Sequence, residues 1–332
     1  MSTANTLNTI TLCLLASLPF GLFAQTMVNQ KPTARETRIE HLDNRVNSQA
    51  SDSAPVRYGD RVYFTSSRKR SGDEKPTSRI YSFTSGKKAM PVAGLNPKRK
   101  SQNVGQVAFM PDARRMYFTI CKDETQENCS IYYRDRTFDG DWSVAKRMPD
   151  FINQRGTTTT MPAVGWDEEQ KKFVLFFVSD RPGGMGGMDI WCSPITWDGK
   201  YETPYPLPVN TKQDDVTPFF HRASQTLYFS TDGRGGAGRF DIFVAEKKGD
   251  MWARPYSLGR PYNTSYDDLY FTIHDASQMA YLTSDRPGSM CGNSAEGQAC
   301  YDLYQINQKV PKLRIRPFEP ENYEARITKR TK

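Results

Sequence analysis

Long apolar runs are almost absent from this chain of 332 residues. The one exception, residues 10–24 (ITLCLLASLPFGLFA), is shorter than the ~20 residues a membrane-spanning helix needs, which excludes a polytopic membrane protein. Histidine is scarce: His41, His221 and His274 are the only three. None of them lies near a cysteine pair, so no zinc-type ligand set is apparent. No stretch beyond the N-terminal segment sustains a 3.6-residue apolar period, which argues against a helical fold. Charge of one sign is not in large excess either. Lys and Arg number 45 against 37 Asp and Glu, a net of +8, too mild to indicate nucleic acid. What is plentiful is aromatic residues, at 12%, and these suit a packed fold rather than disorder.

The first 24 residues carry no Lys, Arg, Asp or Glu, and small Ala24 precedes polar Gln25. Residues 1–24 are therefore expected to be a secretory signal peptide. Cys13 follows bulky Leu12, a poor context for lipid attachment, so a soluble exported protein is expected rather than a lipoprotein. In an oxidising compartment Cys121 with Cys129, and Cys291 with Cys300, are natural short-range disulfide pairs. Cys192 is left over and is expected as a small apolar residue buried in a strand.

One pattern recurs five times. Its first part is an apolar run: RVYFTSS, RMYFTIC, VLFFVSD, TLYFSTD and MAYLTSD. The aligned aromatics Tyr63, Tyr117, Phe176, Tyr228 and Tyr281 are spaced by 54, 59, 52 and 53 residues. A second run follows each: RIYSF, SIYYR, DIWCS, DIFVA and DLYQI. A Gly turn, a third run and an Asn-containing loop complete the unit. Four short β-type runs per ~50 residues mark a β-propeller blade. The expectation is an all-β, five-bladed propeller, with six blades as the runner-up. Residues 25–50 form an N-terminal arm whose strand closes the ring. The propeller spans residues 51–308 and a basic tail residues 309–332.

The segments LYFSTDGRGGAGRFDIFVA and FFVSDRPGGMGGMDIWCS, with VNTKQDDVTPFF between them, resemble the WD40-like PD40 repeats of TolB-type propellers. They look closest to Bacteroidetes envelope proteins, many of which join the propeller to an OmpA-like domain, including a component of the type IX secretion system. The resemblance covers about residues 37–308 and is strongest in blades three to five. It implies an exported periplasmic or outer-membrane-associated propeller that binds other envelope proteins. The sequence is expected to depart from that pattern: Cys13 makes a poor lipobox, and the 24 residues after the propeller are not expected to form an OmpA-like domain. Peptidoglycan anchoring is therefore not carried over.

Candidate site residues cluster in two sets of loops. The b–c loops read DRPGGMGGMD and DGRGGAGRFD. Their first acids, Asp180 and Asp232, are expected to anchor Asx turns, since a calcium loop needs further acidic ligands. Asp214, Asp215, Asp267 and Asp268 fall in the d–a loops, on the same face as Arg181, Arg234 and Arg286. These seven residues form either a structural Arg–Asp network or a polar binding face. The acids repeat blade by blade, whereas catalysis needs unlike environments, and no G-x-S-x-G motif is present. A non-catalytic scaffold at the outer membrane, without cofactor or metal, is the leading expectation. A glycan-binding or glycan-hydrolysing propeller and a surface adhesin are the alternatives. The clusters Arg68–Arg70, Lys98–Lys100 and Lys329–Lys332 are expected as solvated loops and tail. The tail is a candidate contact for lipopolysaccharide or an acidic partner.

Overall fold

The computed structural model describes residues 37–70, 75–97, 102–122, 128–274, 279–290 and 300–307. The chain divides into two compact units, Met1–Glu36 and Thr37–Lys332, and every described residue belongs to the second. The expected signal peptide, the basic tail, Lys98–Lys100 and Cys291 lie outside the described residues.

Runs of Tyr, Phe, Ile and Val stay extended because their branched or aromatic side chains pack well on a pleated surface. Here they build five antiparallel sheets, each a blade with strands a to d in order from the channel outward. Blade 1 comprises Asp52–Tyr58, Arg61–Ser66, Arg79–Phe83 and Met90–Pro91. Blade 2 comprises Asn103–Phe109, Arg115–Cys121, Cys129–Asp135 and Lys146–Arg147. Blade 3 comprises Thr159–Asp167, Lys172–Ser179, Asp189–Ile195 and Tyr205–Pro206. Blade 4 comprises Asp215–His221, Thr226–Thr231 and Asp241–Lys248, with its outer strand broken into Met251–Trp252 and Tyr256–Ser257. Blade 5 has Asp268–His274, Met279–Ser284 and Asp302–Asn307. Its fourth strand is Ile39–His41, which pairs antiparallel with strand c, Ile39 opposite Ile306 and His41 opposite Tyr304. The ring is thus closed by the N-terminal arm, and five blades replace the six-bladed alternative.

The core lies between blades. Phe176 and Phe220 stack at 5.4 Å between blades 3 and 4, and Trp252 meets both edge-on. Gly165 sits against this stack. A Cβ there would lie 2.7 Å from the Phe220 ring and 2.8 Å from Phe176.

Each blade edge is finished by one asparagine. Asn47, Asn96, Asn153, Asn210 and Asn263 accept the strand-c N–H of Leu303, Ile80, Ile131, Ile190 and Ile242 at 2.8–2.9 Å. Each Nδ2 donates back to the carbonyl of the same residue at 2.8–3.1 Å. The amide acts as one more residue of strand d: it satisfies an N–H that would otherwise be buried unpaired and adds a second donor to a carbonyl that already accepts a backbone N–H. Asn210→Ala strands the N–H of buried Ile190, whose carbonyl keeps the bond from Leu207 N–H, and is expected to cost about 1–2 kcal/mol. Asn96→Ala, at a half-buried edge that water reaches, is expected to cost less. Urea unfolding of the two variants measures the difference.

Candidate functional site

On the face of the d–a and b–c loops the structure draws the expected Arg and Asp residues together. Arg286 Nη2 pairs with Asp268 Oδ1 at 2.5 Å and donates to Tyr262 O at 2.8 Å. Its guanidinium lies 5.0 Å over the Tyr304 ring. Arg234 donates to Val209 O at 2.5 Å, and its charge acts on Asp215. Arg181 has no buried acid at the head of strand a; exposed Asp180 acts on it through its charge alone. Arg181 donates to Phe151 O and Ile152 O and stacks on Phe177 and Trp191, and burial pushes its pKa down to about 10. Arg181, Arg234 and Arg286 each reach the carbonyl just before an edge asparagine, tying one blade to the blade before it. A fourth member, Arg68, donates to Val46 O at 2.7 Å and pairs with Asp52 at 2.8 Å. The expectation of a solvated Arg68 is corrected: fully buried Asp52 sits opposite it. The signal was the alignment of Ser66-Ser67-Arg68 with Ser179-Asp180-Arg181.

The acids differ in placement from the sequence reading. Asp214 and Asp267 precede strand a, but Asp215 and Asp268 are its first residues in blades 4 and 5. There they accept the backbone N–H of Thr211 at 2.5 Å and Thr264 at 2.6 Å. Asp214 accepts from Met188 N, and Asp267 accepts from Phe240 N and Tyr301 OH. Asp180 and Asp232 do not anchor their own turns. They reach sideways to Thr158 N and Asp214 N. The acids at the far ends of the loops, Asp189 and Asp241, take the loop amides instead: Met185 N and Gly186 N in one, Gly238 N in the other. The loop also lies close against the segment that leads into strand a of the next blade. A Cβ on Gly238 would lie 2.0 Å from Tyr266 O.

Cys121 and Cys129 are disulfide-bonded, linking the ends of strands b and c in blade 2. Cys192 is a buried free thiol in strand c of blade 3, and burial pushes its pKa up to about 12. Among the described residues no group of three His, Cys, Asp or Glu is placed to hold a metal ion.

The repeat breaks in the channel. Strand a of every blade carries one non-glycine residue at positive φ: Ala54 (55°), Gln106 (54°), Met161 (51°), Thr217 (54°) and Tyr270 (52°). Each sits in a β-bulge where the a–b register shifts. Such a conformation costs about 1 kcal/mol or more outside glycine, and a bulge re-aims the side chain it carries. Five equivalent positions therefore present five unlike side chains. Neighbouring blades hold them: Thr283 Oγ1 accepts Ala54 N at 3.2 Å, Thr65 Oγ1 accepts Gln106 N at 2.8 Å, and Thr217 Oγ1 accepts Tyr270 N at 3.3 Å.

A cavity of about 440 Å³ runs from this ring toward the a–b turns, and in every blade its lining begins at the bulge residue. That volume falls in the ~300–1,000 Å³ range of ligand pockets. Tyr58 and Phe109, stacked at 4.3 Å, form part of the wall with Phe219, Pro111 and the prolines that follow three bulges, Pro55, Pro162 and Pro218. Arg57 and His274 also line it, and no Asp or Glu does among the described residues. At the floor Gln106 Nε2 donates to Tyr270 Oη at 2.9 Å, joining blade 2 to blade 5 past blade 1, where Ala54 leaves room. Burial pushes the Tyr270 phenol well up. None of the seven Arg and Asp residues singled out in the sequence lines this cavity.

No family model and no curated protein matches the chain. Solved structures do. An α-L-arabinofuranosidase from Lactobacillus brevis is 11% identical, with 85% of this chain and 96% of that one covered and a TM-score of 0.54. An exo-β-1,3-galactanase from Clostridium thermocellum is 14% identical, with 80% of this chain and 60% of that one covered and a TM-score of 0.48. TolB from Acinetobacter baumannii is 14% identical, with 82% and 57% covered and a TM-score of 0.41. Further matches are again glycoside hydrolases. The likeness to the arabinofuranosidase overturns the expectation of a non-enzymatic scaffold, which rested on TolB-type likeness and on acids that repeat blade by blade. At such identities the likeness shows the five-bladed fold.

Proposed function

We propose that the protein acts on glycans and that a saccharide binds in the central cavity. One observation carries this reading: five equivalent bulges bear five unlike side chains at the end of a ligand-sized pocket. A ring that served packing alone has no use for that asymmetry or its strain. Aromatic and proline walls fit the apolar faces of sugar rings, while Gln106, Thr217 and Tyr270 fit hydroxyl groups. The glycosidase fold neighbours support the same class. Hydrolysis needs two carboxyl groups ~5–9.5 Å apart astride the scissile bond. The cavity lining carries no carboxyl group among the described residues, so the pocket is read as holding the sugar; Asp214 and Asp267, at the other end of the channel with Asp232 and Asp285 hydrogen-bonded to their amides, are the acids to replace in testing cleavage. Export, expected from residues 1–24, would set the site among envelope or extracellular glycans.

Calorimetric titration with arabino- and galacto-oligosaccharides, with reducing-sugar release followed in parallel, tests the proposal. Binding is expected, and Met161→Trp, which fills the cavity, is expected to abolish it. If no saccharide binds and none is cleaved, the reading fails.

A further inference from the structure

The floor of the cavity has a fixed hydrogen-bond polarity. The backbone N–H of Met161 can only donate, and it meets Gln106 Oε1 at 3.3 Å. Thr160 Oγ1 donates to the same oxygen at 2.6 Å. The Gln106 amide therefore cannot flip: its oxygen faces blade 3 and its nitrogen faces Tyr270. Since Nε2 only donates, Tyr270 Oη is the acceptor of the 2.9 Å bond, and the phenol's own proton points elsewhere. Among the described residues no acceptor meets that proton or the second proton on Nε2. Two donors are thus left over in the pocket lining at Gln106 and Tyr270, where an unmatched polar group is costly. The carbonyl of Gln106 is already saturated.

The walls add charge of one sign. Arg57 lines the cavity, its Nε on Gly59 O and its Nη1 against Met279 Sδ, and no Asp or Glu does among the described residues, so the charge carried by the lining is of positive sign. A neutral sugar hydroxyl brings a proton that needs its own acceptor. A carboxylate brings lone pairs only and meets both floor donors.

We propose that the cavity receives the carboxylate-bearing end of an acidic saccharide, held by the Gln106 and Tyr270 donors beneath the positive charge of Arg57. This rests on the glycan reading above and names its substrate class.

The test compares tetragalacturonate with galactotetraose, equal in length and differing in the carboxylates, by calorimetry on the full chain, with acetate as competitor. Tetragalacturonate is expected to bind at least about tenfold tighter, the weight of one charge-assisted hydrogen bond. Tyr270→Phe keeps the ring and removes the donor. It is expected to erase most of that preference and, because it also takes the acceptor from Gln106 Nε2, to lower the melting temperature modestly while the protein stays folded. Gln106→Glu sets a carboxylate into the floor and is expected to turn the preference toward the neutral sugar. Equal or tighter binding of galactotetraose to the unaltered chain overturns the acid preference and leaves the glycan reading standing. Binding of neither saccharide removes both. Acetate bound in the absence of any saccharide binding overturns the proposal in favour of a small organic acid. A preference unchanged in a folded Tyr270→Phe protein overturns the role of the floor.

Discussion

Asp215→Asn is expected to raise the melting temperature at about pH 8 and to leave it nearly unchanged below about pH 4. Asp215 opens strand a of blade 4 with no exposed surface. Burial pushes its carboxyl up to about 7, outweighing the hydrogen bonds from Thr231 and Thr211 and the charge of Arg234, which all lower it. The unfolded chain releases the same proton near pH ~3.9. Stability held with the group protonated is therefore complete below about pH 4, declines between about pH 4 and 7, and is lost above that. The gap between the folded and unfolded values is worth roughly 4 kcal/mol. Asparagine keeps the shape, keeps an acceptor for Thr211 N–H and never ionises. Melting curves across the pH range settle the matter: a constant offset between the two proteins would show that the buried carboxyl does not ionise at the expense of the fold.

The ring is legible in the sequence because a blade cannot hide. Central strands buried on both faces must be apolar runs, and runs such as VLFFVSD and TLYFSTD return at intervals set by the blade itself. The Arg–Asp contacts are partly legible for the same reason, and Arg68 escapes only because Ser67 replaces the usual Asp. The bulges carry no such mark. Ala54, Gln106, Met161, Thr217 and Tyr270 share no chemistry, because the conformation is imposed by a register shift rather than chosen by residue type. The one local trace is Pro55, Pro162 and Pro218, each just after a bulge. A proline inside an innermost strand has no N–H for the ladder and belongs where pairing lapses. The functional expectation missed for a related reason. It weighed acids at one end of the channel, and their repetition argued for structure. The pocket lies toward the other end, lined by residues that do not repeat.

Arg286→Met is expected to destabilise the propeller by about 3–5 kcal/mol, because it leaves the carboxylate of fully buried Asp268 without its counter-ion. Arg181→Met, in the same position of blade 3, is expected to cost only about 1–3 kcal/mol, since it strands carbonyls and no charge. The contrast follows from residue identity at the head of strand a, aspartate in blade 5 and Thr159 in blade 3. Adding Asp268→Asn to Arg286→Met removes the stranded charge and is expected to recover much of the loss, measured as a double-mutant cycle in urea. Equal costs at Arg286 and Arg181 would mean that the acids contribute nothing specific to the junctions. Loss of saccharide binding in Arg286→Met at unchanged stability would move the rim from architecture to recognition. The geometry favours architecture: Arg181, Arg234 and Arg286 each point into the junction with the preceding blade and hold a carbonyl there, leaving the cavity to the five residues at its floor.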